Sequence, residues 1–271
     1  MTISTDVSSQ NTELDSFGDL LKRAQTHWDT TAVEGELTGT LGIKLRYASL
    51  ILPDPRAWVV IAPGRSESYL KYQDTAFQLN QAGYNVVLYD HRGQGLSGRM
   101  LSDSRKGHVE SFAYYVDDLK IVHRELIVGK THQPVYLLAH SMGGTVGALY
   151  AQNYPHDFTG MVLASPMLGL RAGSAGRWLV SAVAAIERAL TNWLGNEPAY
   201  VPGVGQYTGS PFESNGITHS RARYKHIGTL IRQHPQIALG DPTTHWVDQA
   251  YYAMANIMQD AAKIEIQMLL L

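Results

Sequence analysis

The chain has 271 residues, of which 44% are hydrophobic, and this is enough to build the core of one elaborated α/β domain. Its formal net charge of -2 gives no general reason to expect a nucleic-acid partner. The chain contains no cysteine, which excludes disulfides, thiolate metal sites and cysteine nucleophiles.

The beginning of the chain, residues 1–16, is rich in polar residues and is predicted to be a disordered tail. It lacks the positive start and the apolar stretch of a secretory signal. No stretch of the chain approaches the ~20 apolar residues that span a bilayer. We therefore expect a cytoplasmic protein, and a peripheral contact with the inner face of the cell membrane stays open.

Elements of the N-terminal half alternate between strands and helices. Residues 35–52 are predicted to form a β-hairpin, and residues 57–62 a buried strand that ends at Pro63-Gly64. A helix over residues 69–82 and a second buried strand over residues 85–90 follow.

The same alternation continues towards the middle of the chain. We predict a helix over residues 111–128, a strand over 135–140, a helix over 142–154 and a strand over 159–165. Alternating strands and helices are typical of βαβ units with a mostly parallel sheet. Right-handed crossovers place the helices on both faces of that sheet.

The regular pattern breaks after Pro166. Residues 167–247 have helices and loops but no convincing core strand, so we interpret them as a cap insertion above the sheet. The core is then made of residues 17–166 and 248–271, and it ends in an apolar strand over 264–271. No turn or closing helix follows this strand, so the chain looks truncated, with the last strand and helices missing.

One predicted cap helix, residues 177–194, carries an apolar stripe. The stripe consists of Leu179, Val183, Ile186, Leu190 and Trp193. We favour a helix that packs on the body of the protein, because amphipathic helices usually bury their stripe in their own fold. The alternative is an acyl-chain wall or a membrane-touching face. Residues that make membrane docking conceivable are Trp178, Trp193, Arg171 and Arg188.

The strongest functional signal is Ser141, which directly follows a buried strand and directly precedes a helix. This strand–turn–helix context is what a nucleophile elbow needs. Such a turn requires small residues two positions before and two positions after the nucleophile, and these are Ala139 and Gly143. The sequence therefore predicts that Ser141 is a catalytic nucleophile; a chance match in a loop is the weaker reading.

Two backbone N–H groups are predicted to form an oxyanion hole beside Ser141. One belongs to Met142, directly after the nucleophile, and the other to Arg65, in the turn after the first buried strand. Such donors stabilise the negative oxygen of a tetrahedral intermediate. The alternative is that Pro63-Gly64 is a simple turn that ends a strand.

Two other patterns carry no chemistry in this interpretation. The loop 90–98 contains Gly-x-Gly, but no helix pattern starts there, so we read a structural loop braced by Asp90 and Arg92. The histidines after the serine match neither a catalytic histidine loop nor a zinc motif; they are His156, His219, His226, His234 and His245. We therefore expect no metal and no cofactor, and neither triad acid nor triad histidine in these 271 residues.

Several segments together resemble one family. They are residues 63–69, 89–99, 107–109, 115–119 and 139–144, with 218–224 and 242–247 in the cap. The chain resembles the bacterial lysophospholipase L2 family, close to the monoacylglycerol lipases among the α/β-hydrolases. The resemblance implies an α/β-hydrolase fold and a serine hydrolase whose partner is a small lipid ester, cleaved through an acyl-enzyme. The family's acid and histidine follow a strand that resembles residues 266–271, so neither can be assigned here.

Two other functions remain open. The chain can be a catalytically inactive fragment or pseudoenzyme that at most binds lipid. It can also keep the fold and act on a small ester or a peptide, because a fold alone does not determine function.

Overall fold

The computed structural model describes residues 7–169 and 173–271, without the side chains of residues 7–15, 173–177 and 192. In this part of the chain, seven strands form one sheet in the order β1-β2-β4-β3-β5-β6-β7. The strands are β1 (Ala32–Thr38), β2 (Lys44–Leu50), β3 (Ala57–Ala62), β4 (Tyr84–Tyr89), β5 (Val135–His140), β6 (Gly160–Ala164) and β7 (Met268–Leu270).

Most of the sheet is parallel. Strand β3 pairs in parallel with β4 and β5, and β5, β6 and β7 continue the parallel arrangement. The two antiparallel pairs are β1 with β2, which form a hairpin, and β2 with β4, through which the hairpin joins the sheet. The carboxyl ends of β3 and β5 therefore lie side by side, with Ala62 opposite Ala139. The predicted mostly parallel sheet is confirmed.

Seven α-helices lie in the described part of the chain. They are α1 (Val7–Thr31), α2 (Gln73–Gln81), α3 (Phe112–Leu126), α4 (Met142–Asn153), α5 (Gly173–Leu194), α6 (Arg221–Gln233) and α7 (Thr244–Gln259). Side chains alternate across each strand, so β3 contributes Val60 to a core with α3, α4 and α7, and Ile61 to a core with α1 and α2. Helices therefore cover both faces, as predicted.

The N-terminal region differs from the prediction of a disordered tail over residues 1–16. Residues 7–16 belong to helix α1, and residues 1–6 lie outside the described part. Further along α1, Phe17, Ala24 and Trp28 are buried, and the Trp28 ring stacks on Tyr69. These contacts order the C-terminal part of the helix, and helix formation propagates cheaply from such a nucleus into polar residues.

The cap segment, residues 167–247, connects β6 to α7. It contains α5 and α6, and its described residues contribute no strand to the sheet. Helix α7 begins at Thr244, a few residues before the predicted boundary of the cap. The division of the chain into tail, core and cap remains our prediction.

Helix α5 exposes the stripe that we expected it to bury. Its buried edge faces α7 and includes Ala184, which is 1% exposed, whereas Ile186 is 63% and Trp193 is 81% exposed. The favoured prediction for the stripe is therefore wrong. The helix has large apolar residues on several sides, so the pattern alone does not choose a face. Close approach to α7 selects the edge with small side chains.

Candidate active site

Ser141 sits at a sharp turn between β5 and α4. Its backbone has φ 51° and ψ −115°, a combination that non-glycine residues rarely adopt and that stores about 1–3 kcal/mol of strain. The turn is held by hydrogen bonds on both sides. Ser141 N–H donates to Ala164 O at 3.0 Å, and Ser141 O accepts from Gly144 and Met167 N–H at 2.9 and 3.0 Å. This geometry confirms the predicted strand–turn–helix elbow.

The residues around the elbow must be small for a visible steric reason. A Cβ atom on Gly143 would lie 2.3 Å from Ala62 O, and one on Gly144 would lie 2.7 Å from Pro166 Cβ. Real Cβ atoms do not approach other atoms this closely. Gly143 therefore permits the N-terminus of α4 to lie directly against the end of β3.

Ser141 lines a cavity of about 620 Å³ that is covered by the cap segment. The floor is polar and includes Gly64, Arg65, Glu67 and His140 beside Ser141. The wall comes from the cap and is largely apolar; it includes Tyr207, Ile217, Tyr224, Ile227, Ile231, Ile237 and Leu239. Ser141 therefore opens onto a pocket whose apolar wall comes from the cap segment.

Both predicted oxyanion donors lie near this cavity. Arg65 follows the end of β3, and Met142 is the first residue of α4, whose N-terminus touches the end of β3 through Gly143. Within the described residues, neither Arg65 N–H nor Met142 N–H has a hydrogen-bond acceptor. Two free donors beside the nucleophile are what an oxyanion hole requires.

The side chain of Arg65 links the turn after β3 to the cap. Its Nη2 donates to Gly240 O at 2.5 Å, and its guanidinium lies over the Trp246 ring at 5.5 Å. Burial lowers the pKa of Arg65 from its ordinary value. This contact ties the position of the turn to the position of the cap.

Glu67 is a buried acceptor that the sequence analysis missed. Its carboxylate accepts hydrogen bonds from Gly64 N–H at 2.6 Å, from Lys71 Nζ and from Tyr72 Oη, and it lies 3.1 Å from His140 Nδ1. Burial on its own raises the pKa of Glu67, but His140 and Lys71 together lower it to about 2. Glu67 is therefore ionised and joins the turn after β3 to the residue before the nucleophile.

The loop 90–98 has the structural role that we predicted. The Asp90 carboxylate accepts from Tyr69 and Leu96 N–H, and Arg92 forms a buried ion pair with Asp118 at 2.6 Å. The loop also carries Gln94, which the sequence analysis did not single out. Gln94 is 2% exposed and donates to Gly64 O at 2.7 Å and to Glu67 O at 2.9 Å.

The histidines that follow the serine do not reach the site. Among the described residues that line the Ser141 cavity, the only histidine is His140. His245, for example, is buried elsewhere and lies 3.0 Å from Glu110 O through its Nε2 atom. The described residues also contain no cluster of three or more His, Cys, Asp or Glu that could hold a metal ion.

The chain is similar in sequence to one protein family and to two bacterial lysophospholipases. The model of the family described as serine aminopeptidase, S33, matches residues 53–271. The chain is 35% identical over 232 residues to lysophospholipase L2 of Escherichia coli, covering 84% of this chain and 66% of that protein. It is also 35% identical over 239 residues to the probable lysophospholipase L2 of Haemophilus influenzae, covering 87% of this chain and 73% of that protein.

A solved structure supports the fold. Monoacylglycerol lipase of Paleococcus ferrophilus superposes with a TM-score of 0.57 at 20% sequence identity, covering 83% of this chain and 76% of that one. The chain spans just under two thirds of the length of the E. coli relative. It belongs to the serine aminopeptidase S33 family, has the α/β-hydrolase fold, and is a member of the lysophospholipase L2 family.

Proposed function

We propose that the protein is a serine ester hydrolase that acts on single-chain lipid esters, namely lysophospholipids or monoacylglycerols. The observation that carries this proposal is the strained Ser141 elbow, which opens into a cavity with a polar floor and an apolar wall. An ester with one acyl chain has the same division into a polar and an apolar part. The names of the bacterial relatives, lysophospholipase L2, agree with this substrate class.

In the proposed reaction, Ser141 Oγ attacks the ester carbonyl carbon and its proton passes to a general base. The carbonyl oxygen gains the negative charge and accepts hydrogen bonds from Arg65 and Met142 N–H. The C–O bond to the glycerol part then breaks, the released alcohol takes up the proton, and the acyl group remains on Ser141. Water hydrolyses this acyl-enzyme to the free fatty acid. Loss of one oxyanion donor should cost about 3 kcal/mol of transition-state stabilisation.

The acyl chain belongs against α6 rather than α5 in this proposal. Ile227 and Ile231 of α6 line the Ser141 cavity, and Leu239 extends the same apolar wall. The α5 stripe, offered above as an alternative acyl-chain wall, contributes none of its described residues to the cavity lining. A volume of about 620 Å³ lies within the range of small-molecule sites.

The exposed face of α5 supports a peripheral contact with a lipid surface. Trp178 and Trp193 project at its two ends, with Leu179, Ile186 and Leu190 exposed between them. Aromatic and aliphatic side chains on one helix face favour the boundary between head groups and acyl chains. Arg171, which we also named for this contact, lies outside the described residues. Within the described part, no helix combines the length and apolar character needed to cross a membrane.

One observation favours a second candidate, lipid binding without turnover. Among the described residues that line the cavity, the one histidine, His140, has its Nδ1 atom paired with Glu67 and not with Ser141. A serine without a base stays protonated and is a weak nucleophile. In this case the protein binds the lipid ester and releases it unchanged.

The test compares the 271-residue chain with a chain extended at Leu271 by the C-terminal segment of a lysophospholipase L2 relative. Both are assayed on a lysophospholipid, a monoacylglycerol, a short soluble ester and an N-terminal peptide arylamide. We expect the extended chain to prefer the long-chain esters and to lose this activity in its Ser141→Ala variant. Binding without turnover in both chains favours the second candidate, and a preference for the arylamide contradicts the lipid-ester proposal.

A further inference from the structure

Two buried side chains hold the backbone of Gly64, the residue that precedes the predicted oxyanion donor Arg65. On one side, the Glu67 carboxylate accepts Gly64 N–H at 2.6 Å. On the other side, the Gln94 amide donates to Gly64 O at 2.7 Å and to Glu67 O at 2.9 Å. Both peptide groups that flank Gly64 are therefore anchored by side chains.

The anchor on Gly64 O determines where Arg65 N–H points. The peptide between these residues is trans, as are the other described peptides, so its N–H and C=O point in opposite directions. Gln94 is 2% exposed and does not line the Ser141 cavity, whereas Gly64 and Arg65 do. Drawing Gly64 O towards Gln94 turns Arg65 N–H away from Gln94 and towards the cavity.

The turn has an alternative conformation in which the Gly64–Arg65 peptide is rotated. The rotation changes ψ of Gly64, which glycine leaves free, and φ of Arg65, where a non-glycine side chain opposes it through steric strain. Apart from Gln94, the donor recorded for Gly64 O is Glu67 N–H, at a longer distance of 3.3 Å. A rotated peptide would present a carbonyl oxygen to the cavity, which repels a developing oxyanion.

We propose that Gln94 is a positioning residue for the oxyanion hole, acting through the Gly64–Arg65 peptide. Both hydrogen bonds of its side-chain amide go to backbone oxygens of the 64–67 segment. Gln94 therefore orients that segment and does not brace its own loop. Bracing of the loop comes from Asp90, which accepts hydrogen bonds within it. The assignment rests on the proposed function in one respect, because it takes Ser141 as the nucleophile that the oxyanion hole serves.

The experiment separates oxyanion binding from binding of the lipid itself. A long-chain alkylboronic acid forms a B–O bond with Ser141 Oγ, whose proton is released to solvent, and gives an anionic tetrahedral adduct. An alkylglycerol ether of the same chain length binds without forming that bond. Affinities for both probes are measured for the parent protein and for Gln94→Met and Gln94→Leu, which fill the site with an apolar side chain and remove the donor.

Gln152→Met is the matched control, because Gln152 Nε2 also donates to a backbone oxygen, Ile257 O, at 3.0 Å. Gln152 lies near the C-terminal end of α4, far from the elbow. We expect the Gln94 variants to bind the boronic acid about 10- to 100-fold more weakly, less than for full loss of a donor. Their ether affinity should match the parent. In the extended chain, kcat should fall by the same factor with KM unchanged.

Three results would overturn the assignment. They are equal losses for both probes, unchanged boronate affinity in both Gln94 variants, and a parent protein that binds the ether but not the boronic acid. If the split between the probes holds while the extended chain hydrolyses no lipid ester, the positioning role stands and the proposed substrate is wrong. The two failures are thus distinguishable.

Discussion

The two cap helices, α5 and α6, both carry apolar side chains but place them in different surroundings. Helix α6 lies over the Ser141 cavity with Ile227 and Ile231, while its other side is fastened to the core. Helix α5 packs on α7 along an edge with small residues and leaves its large apolar side chains in solvent. The helix with the stronger apolar stripe is therefore the one that does not line the cavity.

Polar anchors explain this outcome. Arg223 of α6 forms an ion pair with buried Asp74 at 2.8 Å and lies over Phe17 of α1 at 4.7 Å. His226 also contacts the Phe17 ring. Because these contacts face α1 and α2, the neighbouring face of α6, with Ile227 and Ile231, is directed at the cavity. Specific polar and aromatic contacts determine which face of a cap helix points at the cavity. Apolar surface alone does not determine this orientation, and it can also contact a lipid surface.

The largest expected effect comes from placing a charge in the α6 wall. Ile227→Asp puts a carboxylate where we place the acyl chain of the substrate. The bound acyl chain must then displace the water that hydrates this carboxylate. We expect lysophospholipid affinity to fall about 100-fold. Isothermal titration calorimetry on the Ser141→Ala background measures this loss without turnover.

The matched variant is Ile186→Asp on α5, which introduces the same charge at a residue that is exposed and does not line the cavity. Its affinity should equal that of the parent. Similar losses in the two variants would break the distinction between the helices.

The next effect is on the anchor of α6. Asp74→Asn leaves the size of the side chain unchanged but removes the charge that faces Arg223. Asp74 is buried and Arg223 is half in solvent, so we expect the free energy of unfolding to fall by about 1–2 kcal/mol. Urea unfolding measures it. Asp260→Asn, which breaks an exposed pair with Lys263, should change stability little, and an equal loss there would remove the special role of the anchor.

Acid should destabilise the protein in part through His108, which lies beneath α5. His108 lines a cavity together with Ala184 of α5, and burial, reinforced by the charge of His245, lowers the pKa of His108 to about 4. Between pH 6.5 and 4 the unfolded chain binds a proton that folded His108 does not, so the contribution of His108 lowers the free energy of unfolding as pH falls. Asp90, whose pKa burial raises to about 7, contributes in the opposite direction. In the His108→Gln variant, the free energy of unfolding should decrease less steeply with acid. Part of the decrease should remain, because burial also lowers the pKa of His91 to about 4.

The carboxylate near the α6 side loses its stabilisation in a lower pH range. The pKa of Glu67 lies at about 2, below its ordinary value of 4.5, so its stabilisation is present above pH 4.5 and is lost as pH falls towards 2. Urea titrations from pH 7 to 3 separate the two groups. Glu67→Gln should leave the window between pH 6.5 and 5 unchanged, and a change there would contradict the assignment.

The smallest effect concerns the exposed face of α5. Trp178→Ser combined with Trp193→Ser should weaken partition into anionic vesicles severalfold, because each indole contributes apolar area at the interface. Hydrolysis of a short soluble ester by the extended chain should not change. Val128→Ser, at an exposed residue beyond the end of α3, serves as the control in vesicle sedimentation. Equal partition of the three proteins would leave α5 without a membrane role.

Local patterns predicted the elbow well. Strand β5 and the start of α4 were expected at the residues where they occur, because an apolar run, Ser141 and Gly143 act within a few positions of one another. The parallel sheet followed from the alternation of strands and helices. The exposed face of α5 was not predictable, since the choice depends on a partner helix, α7, that lies far along the chain.

Contacts between residues that are distant in the chain could not be predicted from the sequence either. Gln94 and Gly64 are 30 positions apart, and nothing near either residue indicates that they meet. The turn signal at Pro63-Gly64 did locate Arg65, but its anchors became visible only in three dimensions. The order of α1 likewise depends on Trp28 packing against Tyr69, a long-range contact that polar composition over residues 1–16 could not reveal.

Acylation of Ser141 tests the central claim most directly. The extended chain is mixed with a long-chain lysophospholipid, quenched in acid within milliseconds to seconds, digested and examined by peptide mass spectrometry. We predict an acyl group on the peptide that contains Ser141, strongly reduced in Ile227→Asp, retained in Ile186→Asp and lost in Ser141→Ala. Acylation of a different residue, or hydrolysis that survives Ser141→Ala, would contradict the assignment of Ser141 as the nucleophile.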